Sequence, residues 1–141
     1  MENKKTEIDI ILPNFNSYEF IDKAVQSVLK QDFKNWKLII VDDFSDIKTR
    51  KKIRKYAKLK KIKIYWLKKN KGAAYCRNFA ISKSKSNYLA FIDSDDIWEK
   101  NKLRLQIQYM KKNNYDFTYT FYKTFGLKFK KVAPPTKFNF N

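Results

Sequence analysis

Short apolar runs, rich in β-branched and aromatic residues, recur along this chain, and helix-like segments separate them. The runs are residues 8–12, 36–41, 62–67, 88–92 and 117–121. A run of about five or six apolar residues is short for a helix and suits a strand covered on both faces. The segments between carry apolar residues three and four apart. Ile21, Ala24, Val25, Val28 and Leu29 do so over residues 17–30, and Ala73, Cys76, Ala80 and Ile81 over 72–83. Leu103, Ile107 and Met110 do so over 100–112, and Asp46 can cap a further helix to about residue 59. Asn16, with Glu19 three residues on, reads as a capping box for the first helix. Strands and helices in strict alternation predict βαβ units: an α/β, Rossmann-like fold with a mostly parallel sheet flanked by helices.

Right-handed crossovers bring the C-terminal ends of such strands to one edge of the sheet, where ligands bind. The loops at that edge are residues 13–16, 42–46, 68–72 and 93–98. Both carboxylate clusters of the chain fall in them: Asp42-Asp43-Phe44-Ser45-Asp46 and Asp93-Ser94-Asp95-Asp96.

Three carboxylates within four residues repel one another. A hard divalent cation, Mn²⁺ or Mg²⁺, relieves that repulsion and brings phosphate oxygens with it. The competing reading makes Asp95 or Asp96 a cap for the next helix. Asp42 and Asp43 can accept hydrogen bonds from a ribose or a base, or cap a helix in competition with Ser45 and Asp46. Phe15 can stack on a base or staple the following helix. Arg77 can hold a phosphate or serve as an ordinary surface arginine. Together, an aromatic, two carboxylate pairs and an arginine at one sheet edge are what a nucleoside diphosphate requires. Gly72 and Gly126 are the only glycines and build neither G-x-G-x-x-G nor G-x-x-x-x-G-K-[ST], so metal and arginine would hold the phosphates.

Composition removes several classes. The chain has no His, which excludes Ser-His-Asp and Cys-His catalysis and His-ligated zinc. One Cys forms no internal disulfide. No apolar run reaches the roughly 20 residues of a membrane span. Hydrophobic residues make up 43% of the 141, enough for a packed core. The formal charge is +18, and no acidic residue lies between Asp46 and Asp93. Such a field attracts nucleotides, nucleic acid or anionic lipid; a solvated lysine-rich face explains it equally.

Five ordered blocks resemble the family-two glycosyltransferases of GT-A fold. They are Ile10-Ile11-Leu12-Pro13-Asn14-Phe15-Asn16, Ala24-Val25-Gln26-Ser27-Val28-Leu29-Lys30-Gln31-Asp32-Phe33, Leu38-Ile39-Ile40-Val41-Asp42-Asp43-Phe44-Ser45-Asp46, Asn70-Lys71-Gly72-Ala73-Ala74-Tyr75-Cys76-Arg77-Asn78 and Tyr88-Leu89-Ala90-Phe91-Ile92-Asp93-Ser94-Asp95-Asp96-Ile97-Trp98. The resemblance implies transfer of a sugar from a nucleotide-diphosphate sugar, commonly UDP-linked, to a glycan or lipid-linked acceptor, with inversion. It implies donor contacts at Pro13, Phe15, Asn16, Asp42, Asp43, Arg77, Asp93 and Ser94. Phe15 stands at the base-stacking position, Asp43 at the base-binding carboxylate and Arg77 near the diphosphate. Asp93 and Asp95 form the D-x-D, with Asp95 the direct metal ligand and Asp93 the ribose or metal-water contact. Asp96 is left to support the metal or cap a helix. Phe44 replaces the glycine usual after the two aspartates.

Such enzymes place the general base well downstream of the D-x-D. After Asp96 only Glu99 and Asp116 remain, so the catalytic base is expected beyond Asn141 and the chain reads as the donor half of a longer protein. The expected organisation is one domain over residues 1–141, with a core at about 7–121 and, over 122–141, an irregular tail or the start of the acceptor half. The expected location is cytoplasmic, with peripheral contact to anionic membrane and no nucleic-acid partner. The alternatives are a truncated or inactive nucleotide-binding remnant and a basic nucleic-acid-binding module.

Overall fold

The computed structural model describes residues 7–124 and 130–132. Four parallel strands form the main sheet: β1 (Ile8–Asn14), β2 (Trp36–Asp42), β3 (Ile62–Trp66) and β4 (Tyr88–Phe91). Their order is β3-β2-β1-β4. Helix α1 (Ile21–Leu29) joins β1 to β2, and α2 (Ile47–Arg54) with a 3-10 turn (Lys55–Lys58) joins β2 to β3. Helix α3 (Ala73–Lys83) joins β3 to β4, and α4 (Lys102–Asn113) follows β4. The expected α/β fold with a mostly parallel sheet is what forms.

The chain divides into two compact units, one ending at Leu103 and the other beginning at Arg104. The first holds the parallel sheet. The second holds a separate antiparallel pair, β5 (Tyr122–Thr124) and β6 (Lys130–Val132).

Strand order follows from crossover handedness. The first two crossovers move the chain one way across the sheet, and the third brings it back past β1 to β4. Right-handed connections therefore put α1 and α2 on one face and α3 on the other. Side-chain alternation agrees. Ile11, Ile39 and Val41 pack with Cys76 and Ala80 of α3. Ile10, Leu12, Leu38 and Ile40 point the other way and are fully buried, as are Ile21, Ala24, Val25 and Val28 of α1. Each fully buried aliphatic contributes about 1.5–3 kcal/mol.

The register places Asn14 beside Asp42 and Asp42 beside Trp66, so β1, β2 and β3 end in one line. A polar network fastens that line. Asp42 is fully buried. Its Oδ1 accepts from Asn14 Nδ2 at 2.9 Å, and its Oδ2 accepts from the Ser45 amide at 3.2 Å and from Arg50 Nε at 2.8 Å. Arg50 Nη2 also donates to the Leu67 carbonyl at 2.8 Å. One guanidinium thus ties α2 to the ends of β2 and β3.

Two local expectations are corrected. Asn16 does not cap α1. Its Oδ1 instead accepts from the Asp46 amide at 2.8 Å, with Asn16 at φ 48°, and the helix starts at Ile21 after a turn in which the Ser17 carbonyl accepts from Phe20 and Ile21. Loop-to-loop bonding therefore outcompetes the capping box. Residues 117–121 form no strand, although Phe, Tyr and Thr favour one, because strand propensity is realised only through a pairing partner. Within residues 122–141, expected as an irregular tail or the start of the acceptor half, the described residues hold β5 and β6, and residues 125–129 and 133–141 lie outside the described residues. Asp46 does cap α2, accepting from the Thr49 amide at 2.7 Å.

Arg50→Ala would strand a buried carboxylate, so it should lower unfolding stability by about 3 kcal/mol or more in urea titration. The exposed Lys48–Glu19 pair, 4.0 Å apart, provides the contrast. Lys48→Ala should cost less than about 1 kcal/mol. Equal losses from the two variants would contradict the role given to the buried network.

Candidate active site at the strand ends

A cavity of about 260 Å³ opens at the C-terminal edge of the sheet. Pro13, Asn14 and Phe15 from the end of β1, Asp43 after β2, Ala73, Cys76 and Arg77 of α3, and Asp93, Ser94 and Asp95 after β4 line it. Residues 80 positions apart in sequence meet here because all four strands run the same way.

Pro13, Phe15, Asp43, Arg77, Asp93, Ser94 and Asp95 are thus brought together as the sequence predicted. Asn16 and Asp42 do not line the cavity. Asn16 is occupied in bonding the Asp46 amide, and Asp42 is sealed beneath the loops by Asn14, Ser45 and Arg50. Asn14, Ala73 and Cys76 are lining residues that sequence reasoning missed.

Each lining side chain has a physical reason for its place. Phe15 is 51% exposed, so one ring face is available to a ligand. Asp43 is buried, and its carboxylate sits at the start of α3, where Oδ1 accepts from the Lys71 amide at 2.7 Å and Oδ2 from the Gly72 amide at 2.8 Å. These are amides that the helix itself cannot satisfy, and the helix dipole favours the negative charge. Gly72 makes this close approach at φ 87°, which an L side chain would strain. Phe44 adopts φ 64°, so the loop keeps the left-handed turn without a glycine.

Cys76 lies under the cavity, fully buried. Burial, with Asp43 close enough to accept its hydrogen bond, pushes its thiol up to about 12. Arg77 Nη2 contacts Asp93 Oδ1 at 2.5 Å, with both side chains partly exposed. That contact bridges α3 to the D-x-D and offsets part of its charge. Asp96 is raised above the usual carboxylate range by burial first and then by Asp93 and Asp95. It does not cap a helix, since α4 begins six residues later at Lys102. Lys102, pushed down to about 8 by burial, lies within the influence of Asp96, which opposes that shift.

Among the described residues no three His, Cys, Asp or Glu side chains are grouped as a complete metal site. What the edge offers is a pair of exposed carboxylates, Asp93 and Asp95, with hard oxygen donors. That set fits Mn²⁺ or Mg²⁺ only when substrate phosphate and water complete the coordination.

The parallel sheet with its cavity at the strand ends is the architecture of the GT-A glycosyltransferases. S. aureus TarS, solved in complex with UDP, superposes with a TM-score of 0.71 at 28% identity, over 77% of this chain and 33% of that one. The mannosyltransferase PcManGT from Pyrobaculum calidifontis, solved with GDP-Man and Mn²⁺, shares the fold with a TM-score of 0.69 at 18% identity, over 77% of this chain and 33% of its own. A sequence model of glycosyl transferase family 2 matches residues 9–140, and the chain belongs to that family. Among its relatives, UDP-Glc:alpha-D-GlcNAc-diphosphoundecaprenol beta-1,3-glucosyltransferase WfgD of Escherichia coli is 41% identical over 116 residues, 82% of this chain and 46% of WfgD. The chain spans about half the length of the first curated relatives it matches.

The raised Cys76 value carries a consequence. A thiol near 12 in the fold and 9.0 when free keeps its proton in the native state. Its contribution to stability is full below pH 9 and is lost as pH rises from 9 toward 12. At pH 8 the thiolate fraction falls on the order of a thousandfold, so alkylation of the native protein should be slower by at least that factor than in urea. Comparable native and unfolded labelling rates would contradict this.

Proposed function

We propose that this chain is the donor-binding part of a glycosyltransferase that moves a sugar from a nucleotide-diphosphate sugar, UDP-linked, to a glycan or lipid-linked acceptor with inversion. The observation that carries the reading is the convergence of Phe15, Asp43, Arg77, Asp93 and Asp95 on one cavity at the strand ends. Membership of glycosyl transferase family 2 and the likeness to a UDP complex support it.

In this reading Phe15 stacks on the base, a contact worth about 1–3 kcal/mol in nucleotide sites generally. Asp43 accepts from the base. Its carboxylate already holds two amides, so it is fixed before the ligand arrives, and a fixed acceptor costs little to order. Ser94, between the two aspartates, and Pro13, beside Phe15, shape the floor around the ribose. Arg77 is within reach of the diphosphate and can exchange its partner, releasing Asp93 as the phosphates bring their own charge.

Asp95 and Asp93 would hold Mn²⁺ or Mg²⁺. When bound, the cation supplies charge neutralisation of the departing nucleoside diphosphate. The placement expected with this function is the cytoplasmic face of a membrane, where a lipid-linked acceptor is found. Among the described residues no helix is long and apolar enough to cross a membrane.

Calorimetric titration of UDP into the 141-residue chain tests the reading. Binding should require Mn²⁺ or Mg²⁺, and Asp95→Ala should weaken it at least about tenfold. Phe15→Ala should weaken it about tenfold, in line with a lost stacking contact. UDP binding that ignores both metal and variants, or no binding by a chain whose circular dichroism is native, would overturn it.

A further inference from the structure

Between Asp46 and Asp93 the chain has sixteen Lys and Arg and no carboxylate. The structure sorts those cations by what they face. Lys48 pairs with Glu19, Lys52 and Lys55 with Asp22, Arg50 with Asp42 and Arg77 with Asp93. Lys61 donates to the Lys34 carbonyl at 2.5 Å. Lys51, Arg54, Lys58, Lys60 and Lys63, like Lys68, Lys69, Lys71, Lys83 and Lys85, take part in none of the ion pairs found among the described residues, and all are exposed.

Lys51, Arg54, Lys58 and Lys60 form a row. Lys51, Arg54 and Lys58 recur three and four residues apart along α2 and the 3-10 turn, opposite the buried Thr49, Ile53 and Tyr56. Lys60 carries the row toward β3, the outer strand of the sheet, whereas Lys63 shares register with Ile39 and projects from the opposite face beside Tyr65. Leu59, 41% exposed, stands between Lys58 and Lys60. Uncompensated like charges around an exposed leucine repel one another, and an anionic surface relieves that repulsion.

We propose that this outer side of α2, the 3-10 turn and the turn after it is a seat for a bilayer rich in anionic phospholipid. The chemistry favours lipid over nucleic acid. Three of the four cations are lysines, whose ammonium groups suit diffuse attraction to headgroups, whereas bidentate phosphate and base recognition draws on arginine. The one aromatic within residues 51–63, Tyr56, is buried and offers no platform for a base. Leu59 can enter the headgroup boundary while its lysine neighbours extend their charge outward. The seat deepens the reading above, on which its purpose rests: it would hold the donor cavity close to a lipid-linked acceptor. Its test does not depend on nucleotide binding.

The experiment is co-sedimentation of the full 141-residue chain with vesicles of phosphatidylcholine alone and with about 30% phosphatidylglycerol, without nucleotide. Each cation near an anionic surface is worth about fivefold in partition. Binding should appear only with phosphatidylglycerol and weaken as salt rises. The variant Lys51→Glu/Arg54→Glu/Lys58→Glu/Lys60→Glu should lose at least about a hundredfold, and Leu59→Ser should lose a few fold. Circular dichroism should show both variants folded. The milder Lys→Gln and Arg→Gln set at the same positions should lose about tenfold or more, which keeps the test valid if the reversal variant fails to fold.

Four results overturn the proposal. One is equal binding to both vesicle types, and another is binding unmoved by the substitutions. The third is binding to an RNA oligonucleotide but to neither vesicle, which would assign the face to nucleic acid. The fourth, absence of vesicle binding alongside normal UDP binding, would leave the donor reading standing and reduce the lysines to guards of an exposed sheet edge.

Discussion

A carboxylate with no access to water organises the functional end of this molecule. Asp42 lies at the end of β2, and its oxygens are satisfied by Asn14, Ser45 and Arg50. Burying such a charge is unfavourable unless every lone pair finds a partner, so the network holds only in one arrangement of three strand ends and two loops. Asn14 extends it by donating to Ser45 Oγ at 3.1 Å and accepting from Ser17. Ser45 in turn accepts from the Asn16 amide at 3.0 Å. The loops that carry Phe15 and Asp43 are therefore positioned by polar contacts as well as by the strands that lead into them.

Two adjacent aspartates divide two tasks. Asp42 points into the protein and acts as a structural pin, while Asp43 points to the cavity. Strand-like alternation at the end of β2 separates them. Asp43 nevertheless has a structural role of its own, since its carboxylate satisfies the Lys71 and Gly72 amides at the start of α3. Helix α3 brings Arg77 one turn further on, and Arg77 reaches Asp93 across the cavity. Polar contacts thus run from β2 to the start of α3 and from α3 to the segment after β4.

The fold was legible because hydrophobic periodicity reports burial on both faces of a strand and on one face of a helix. All four strands of the main sheet and the helices between them stand close to where that pattern puts them. The pattern failed where a partner decides the outcome. Residues 117–121 have strand chemistry but no ladder, and Asn16 has cap chemistry but spends it on Asp46. Seven of the nine residues singled out for the site meet at the cavity, because being at the C-terminal end of a parallel strand is a property of sequence order and crossover hand alone. The other two, Asn16 and Asp42, were drawn into the loop network. Cys76 escaped notice because a cysteine at an apolar helix position looks like any core residue.

The alternation of strands and helices, the edge at which a ligand could bind and the chemical classes gathered there were all readable from the amino-acid order. These follow from local periodicity and from the handedness of L-residue crossovers, which do not depend on distant contacts. Long-range packing settles which aspartate faces the cavity and which cations are paired, and it closes Arg50, eight residues after Asp42, on that carboxylate while it reaches Leu67. Those outcomes depend on how buried polar groups share a limited number of partners. That competition is resolved across the whole set of loops at once, and no local stretch of sequence contains it.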